Sequence, residues 1–223
     1  MKIGILGSGA VGLTLGAGFV GMGHHVIIGT RNPAKEALQQ WAKRQGPLAA
    51  ISTFREAAAG GELIVICVSW TGAKSAIEQA GIWNFKGKTV VDVTNPLDGK
   101  GPDEDGRLSF VNGLHSAGEQ IQAWLPPDAY VVKALSCVGH EIMFQHQQEG
   151  EKPTMFICGN NPQAKKEVSA ILHQMGWEDV ADMGKIIMSR NIEPLCILWS
   201  AIGFRTGRWD HAFKIVRPQQ KKA

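Results

Sequence analysis

A doubly wound α/β fold on a parallel sheet is predicted by three observations: a glycine-rich turn between a strand-like and a helix-like run, a second strand with a basic tip, and repeated strand and helix alternation beyond. A smaller, largely helical part closes the chain. The first strand-like run is Lys2-Ile3-Gly4-Ile5-Leu6 and the second is His25-Val26-Ile27-Ile28-Gly29. Between them lie Gly7-Ser8-Gly9-Ala10-Val11-Gly12 and an apolar, small-residue stretch that reads as a helix. This is G-x-G-x-x-G in a strand–turn–helix setting of the Rossmann type. Gly7 suits the tight turn, Gly9 lets the backbone approach a pyrophosphate, and Gly12 lets the helix lie close on the sheet. The helix aims its N-terminal N–H groups at the phosphates.

At the end of the second strand an NAD-type site would carry an acid for the ribose 2′-hydroxyl. Here the chain reads Gly29-Thr30-Arg31-Asn32-Pro33-Ala34-Lys35, with two cations, a hydroxyl and no carboxylate. That tip suits the 2′-phosphate of NADP.

Further elements follow in order. Asn32 as N-cap and Pro33 at the first helical position predict a helix to Arg44, ended by Gly46-Pro47. A short strand (49–52) and short helix (53–59) lead to Leu63-Ile64-Val65-Ile66-Cys67-Val68, an unbroken apolar run expected of a central parallel strand. A helix over about 72–80 precedes the strand Thr89-Val90-Val91-Asp92-Val93 and a Gly-, Pro- and Asp-rich loop over 95–107. Runs at 130–135 and 154–158 read as strands, with a helix over about 162–175. Strands separated by helices imply right-handed crossovers. The stretch from Gly184 to about Arg217 reads as helical, interrupted at Pro194. We expect a dinucleotide-binding domain over 1–135 and a smaller domain over 136–223 that completes a substrate cleft, packed separately or as one unit.

Composition narrows the function. With 223 residues, a core of ordinary size is available, and a net charge of +3 with scattered basic residues argues against a dedicated nucleic-acid binder. The tail Arg217-Pro218-Gln219-Gln220-Lys221-Lys222-Ala223 reads as a frayed end. Cys67, Cys137, Cys158 and Cys196 are widely spaced and form no C-x-x-C pair. The start has no signal-peptide character, and no apolar run is long enough to span a bilayer. A reduced, cytoplasmic, soluble protein is expected, with no membrane partner.

In open α/β sheets ligands lie beyond the carboxyl ends of the strands. Three loops are candidates: Ser69-Trp70-Thr71, Thr94-Asn95-Pro96-Leu97 and Ser136-Cys137-Val138-Gly139-His140. Such junctions also favour Ser, Thr, Asn and Pro for capping and turning alone, and Trp70 equally suits core packing. Cys137 and His140 could be a thiol–imidazole pair, but the other histidines (His115, His146, His173, His211) suggest no cluster, and no metal is expected. His24-His25 reads as a helix-to-strand turn.

These residues resemble the deazaflavin-dependent NADP reductases, a family labelled NADP oxidoreductase, coenzyme F420-dependent. The tip 29–35 carries the resemblance. It continues through Val131-Val132-Lys133-Ala134, Val138-Gly139-His140-Glu141-Ile142-Met143, Arg190-Asn191-Ile192-Glu193-Pro194-Leu195 and His211-Ala212-Phe213-Lys214. It implies NADP on an N-terminal Rossmann domain and an isoalloxazine-like acceptor in a cleft. By position it implies that Ser8, Gly9, Ala10 and Val11 contact pyrophosphate and that Thr30, Arg31 and Lys35 hold the 2′-phosphate. It implies that Val68, Ser69, Trp70, Asn95 and Pro96 line the ribose and nicotinamide. One departure stands out: relatives commonly read Ala-Phe-Asn-Thr where this chain has Ala134-Leu135-Ser136-Cys137.

The expected chemistry is direct hydride transfer between nicotinamide C4 and a planar acceptor such as a deazaflavin, FMN or FAD. Two rings held at about 3–3.5 Å need positioning rather than a nucleophile or acid–base pair. The domain design also resembles the cytoplasmic part of membrane ferric reductases, which pass hydride to a flavin, so a ferric-chelate acceptor stays open. A reductase of a small imine or ketone would need a proton donor, for which Ser136, Cys137 and His140 are candidates. A non-enzymatic NADP-sensing module would bind NADPH without turnover. Trp177, Trp199 and Trp209 suit a core or the interface of a homodimer.

Overall fold

The computed structural model describes residues 1–111, 113–144 and 152–217. The tail 218–223 and His146 lie outside the described residues. Eight strands form one sheet in the order β3-β2-β1-β4-β5-β6-β7-β8. They are β1 (Lys2–Leu6), β2 (His25–Thr30), β3 (Ala49–Thr53), β4 (Leu63–Ile66), β5 (Thr89–Asp92), β6 (Tyr130–Lys133), β7 (Thr154–Gly159) and β8 (Asp179–Asp182). The helices are α1 (Ala10–Gly21), α2 (Glu36–Gln45), α3 (Phe54–Gly60), α4 (Trp70–Ala80), α5 (Ala117–Trp124), α6 (Pro162–Gln174), α7 (Ser189–Ile192) and α8 (Pro194–Thr206).

At the centre of the sheet β4, and β1 beyond Lys2, are buried and apolar. All four residues of β4 are buried, and Ile3, Ile5, Leu6 and Ile28 beside them are 0% exposed. Each such side chain contributes about 1.5–3 kcal/mol of transfer free energy. Two apolar layers cover the faces, one around Leu15, Phe19, Trp41 and Trp177 and the other around Phe54, Ile77, Phe85 and Ile121. Trp177 and Trp199 are buried at 1% and 8% exposure, which assigns both to packing.

The doubly wound expectation holds for β1 to β6, all parallel, with the order reversing between β1 and β4. It needs one correction: β7 pairs antiparallel to β6, while β8 runs parallel to β7. A parallel return needs a long crossover, usually a helix. Among the described residues between β6 and β7 there is only one short 3₁₀ turn, over His140–Ile142. β7 and β8 extend the same sheet, so residues beyond 135 share its core.

Two helix ends differ from expectation. α2 starts at Glu36 with Lys35 at the N-cap, three residues late. Asn32 and Pro33 instead open a tight turn closed by Lys35 N–H donating to Asn32 O at 3.3 Å, a position that proline's fixed φ fits equally well. Secondly, the C-terminal stretch is not helical throughout. Pro194 begins α8 after the four-residue α7, and Gly207 ends it at φ +68 in the left-handed region. Beyond it the chain runs alongside β7, where Thr154 N–H donates to Phe213 O at 2.9 Å.

Candidate functional site

The glycine turn sits at the carboxyl end of β1, beside the point where strand order reverses. Gly7 has φ +138, and a Cβ there would lie 2.9 Å from Cys67 O. A Cβ on Gly12 would lie 2.1 Å from Gly7 O, so only glycine lets α1 start this close to the turn. Gly9 is different. A Cβ on it would meet nothing within 4 Å, so the turn leaves open space in front of the first-turn N–H groups of α1. Those groups have no helical acceptor, and the first turn carries no acidic side chain to occupy them. A pyrophosphate fits that cradle in both space and charge.

A cavity of about 540 Å³ opens there, lined on one side by Gly7, Ser8, Gly9, Thr30 and Arg31. Phe54 comes from α3, which starts there because Thr53 and Glu56 form a capping box. Thr71, Ser75 and Gln79 come from one face of α4 at intervals of four, with Gly72 and Ala76 between. A second cavity of about 330 Å³ is lined by Val11, Trp70, Val93, Thr94, Asn95, Leu97 and Gly99. Cys67, Val68, Ser69 and Thr71 line both cavities, so the two share a wall at the carboxyl end of β4. Together they run from Arg31 to Asn95. Among the described residues no carboxylate lines either one.

The loop carrying Asn95 is braced from several sides. Asn95 Nδ2 donates to Ser136 O at 2.7 Å. Pro96 is buried, and its carbonyl accepts from Val111 N–H at 2.8 Å. Leu97 pairs with Phe110 in an antiparallel bridge, folding the 97–110 loop back on itself. Trp70 stacks on Trp124 at 5.4 Å with the rings 14° apart. It is therefore both packed and lining.

Other predicted residues sit apart. Lys35 is exposed at the N-cap of α2 and does not line the cavities, whereas Arg31, four residues earlier, does. Ala10 is exposed at the start of α1, and Gly12 is buried against the turn. Ser136 is 3% exposed and meets Asn95 through its carbonyl, not its hydroxyl. Cys137 is 1% exposed, and burial pushes its thiol up to about 12. His140 is half-buried with Nδ1 3.2 Å from Glu141 Oε2. The thiol–imidazole idea is thus unsupported, because a buried neutral thiol is no nucleophile. Among the described residues no group of His, Cys, Asp and Glu could hold a metal ion, and no helix is long and apolar enough to cross a membrane.

Sequence reasoning missed Phe54, the Ser75 and Gln79 positions that continue the face begun by Thr71, and a buried charge cluster behind the second cavity. The four-residue spacing on α4 was the available signal for the face. For the cluster it was Asp92, Lys133 and Glu193, each standing in an apolar run.

Comparison with known proteins places this geometry. Residues 2–96 match the family described as NADP oxidoreductase coenzyme F420-dependent. A crystal structure of a putative F420-dependent NADP-reductase from Arthrobacter sp. FB24 is 35% identical, covering 97% of this chain and 100% of that one with a TM-score of 0.89. The F420-dependent NADP reductase of Methanocaldococcus jannaschii is 29% identical over 206 residues, covering 87% of this chain and 89% of that protein. Rat metalloreductase STEAP3 is 30% identical over 194 residues, covering 87% of this chain, which spans 36% of its length. With the whole fold shared and the glycine turn, basic tip and doubled cavity in place, the chain belongs to the family of coenzyme F420-dependent NADP oxidoreductases.

Proposed function

We propose that hydride passes in this protein between the nicotinamide C4 of NADP(H) and a flat acceptor of the deazaflavin or flavin type stacked over it. In this reading the pyrophosphate lies on the turn formed by Ser8, Gly9, Ala10 and Val11. Thr30 and Arg31 hold the 2′-phosphate from the cavity wall, with Lys35 contributing charge from outside it. Val68, Ser69, Trp70, Asn95 and Pro96 flank the ribose and nicotinamide. The carrying observation is the shared wall of the two cavities, which supports one extended dinucleotide rather than two separate ligands.

The residues fit the chemistry. A hydride moving between stacked rings asks the protein for orientation and exclusion of water, not for a proton shuttle. The second cavity matches that demand, since among the described residues its lining holds hydroxyls, an amide, a thiol and apolar groups but no carboxylate, imidazole or amine. Reduction of an imine or ketone would need a proton donor there, and none of the three candidates, Ser136, Cys137 and His140, lines it. The one thiol present, Cys67, is pushed up to about 12 by burial.

The proposal extends to a cytoplasmic homodimer. All four cysteines are free thiols, which suits a reducing compartment, and α8 leaves Leu198 and Phe204 exposed at 53% and 43%. The test is stopped-flow oxidation of NADPH against deazaflavin coenzyme, FMN, FAD and ferric chelates. Rapid oxidation by a ring acceptor is expected. No consumption with any of them would overturn the proposal.

A further inference from the structure

Lys133 ends β6 in full burial. Its ammonium lies 2.6 Å from Asp92 Oδ2 and 2.8 Å from Glu193 Oε1, and it donates to Thr94 O at 2.6 Å. Three donors thus meet three acceptors, and no capacity is left over. Both carboxylates are further satisfied. Asp92 Oδ1 accepts from Thr94 N–H at 2.9 Å and from the Thr94 hydroxyl at 2.7 Å. Glu193 accepts from Ala117 N–H and Gly118 N–H, each at 3.0 Å, at the start of α5.

A buried ion cluster seldom adds stability over apolar residues of the same volume, because desolvation offsets the attraction. Here burial pulls the Lys133 ammonium down, and the Asp92 and Glu193 charges outweigh it, leaving it above its ordinary range. The cluster's distinctive product is geometric. Thr94 is gripped at its N–H, its hydroxyl and its carbonyl, and the next residue, Asn95, is pinned by Ser136 O just past Leu135, which is held at φ +59. A non-glycine residue there costs about 1 kcal/mol or more, so the surroundings must enforce it.

The geometry points to Lys133 as a positioning residue for hydride transfer: it fixes the Thr94–Asn95 wall of the second cavity and ties that wall, through Glu193, to α5 and α8. The inference rests on the NADP(H) reading above. It adds that the nicotinamide half is ordered by a device the adenosine half does not use, since no member of the cluster lines the first cavity or bonds to a residue of the glycine turn or the Arg31 tip.

The experiment compares 2′,5′-ADP, which carries the adenosine end alone, with NADPH, whose own fluorescence reports how firmly the nicotinamide is held. No acceptor is needed. Lys133→Met is expected to bind 2′,5′-ADP within about twofold of wild type, as the adenosine subsite is untouched. Its NADPH affinity should fall about tenfold, matching one lost set of charge-assisted contacts. The bound-state fluorescence enhancement should fall by half or more. Asp92→Asn keeps the volume and should show the same one-sided loss to a smaller degree. Parallel losses of both ligands, no change in either, or failure of both variants to fold would make the cluster purely structural and overturn the inference. Failure of the wild type to bind NADPH would sink the cofactor reading itself, and this inference with it.

Discussion

The hydroxyl of Ser8, in the glycine turn, donates a hydrogen bond to the hydroxyl of Thr30 at the end of β2, 3.0 Å away. In the proposed reading the bond joins the pyrophosphate cradle to the 2′-phosphate tip and couples the two anion subsites. Ser8→Ala should raise the NADPH dissociation constant about three- to tenfold, the worth of one neutral hydrogen bond, with little change in melting temperature. A fluorescence titration beside a melting curve checks it; an unchanged dissociation constant would show that the bond does not organise the site.

Gly9 and Gly12 should separate binding from folding. Gly9→Ala places its methyl in open space, so stability should stay within about 0.5 kcal/mol while NADPH binding weakens at least tenfold. Gly12→Ala drives a methyl to 2.1 Å from Gly7 O and should cost about 1–3 kcal/mol as α1 is pushed from the sheet. Urea titrations and NADPH binding on both variants decide it. Equal stability losses would mean that the turn is packed differently from the arrangement described.

Three buried thiols predict an alkaline limit to stability. Burial pushes Cys137 to about 12 and Cys158 and Cys196 to about 11, from an ordinary 9.0. These groups keep their protons in the folded chain while the unfolded chain ionises. Their contribution is therefore complete below about pH 9 and is lost as pH rises toward 11–12, by up to ~1.4 kcal/mol per pH unit for each thiol. Urea midpoints at pH 7.5, 9 and 10 should fall across the last interval, and Cys196→Ala should shallow the slope. A flat profile would show that the thiols reach water.

Trp70 should matter to the nicotinamide end of the dinucleotide rather than to its adenosine end. It lines only the second cavity, held there by Trp124. Trp70→Ala should weaken NADPH about three- to tenfold, the worth of one aromatic stack, and leave 2′,5′-ADP within about twofold. Fluorescence and calorimetric titrations of the two ligands would reverse the assignment if 2′,5′-ADP suffered as much.

Much of this is legible in the chain because its signals are local. β1, the turn, α1 and β2 follow from glycines whose spacing has one mechanical use, and β4 follows from an apolar run buried on both faces. Direction is not local: nothing in Thr154-Met155-Phe156-Ile157-Cys158 says which way β7 runs, and its antiparallel pairing is a property of two strands together. Asn32-Pro33 is ambiguous for a similar reason, since a cap followed by the first helical position and the first half of a tight turn ask for the same two residues. Neither the short α5 nor β8 stands out by pattern. The Asp92–Lys133–Glu193 cluster was half visible as charges stranded in apolar runs, but their pairing joins positions 41 and 60 residues apart along the chain, as counted from Asp92 to Lys133 and from Lys133 to Glu193.

The central claim is that a cation, rather than a carboxylate, receives the adenosine end of the cofactor. The most direct measurement is the ratio of NADH to NADPH dissociation constants in the wild type and in Arg31→Ala. The wild type should prefer NADPH, and the substitution should weaken NADPH about 10- to 100-fold, as expected for loss of a charge-assisted contact, while leaving NADH within about threefold. Equal losses for the two cofactors, or a wild type that binds both alike, would contradict the account.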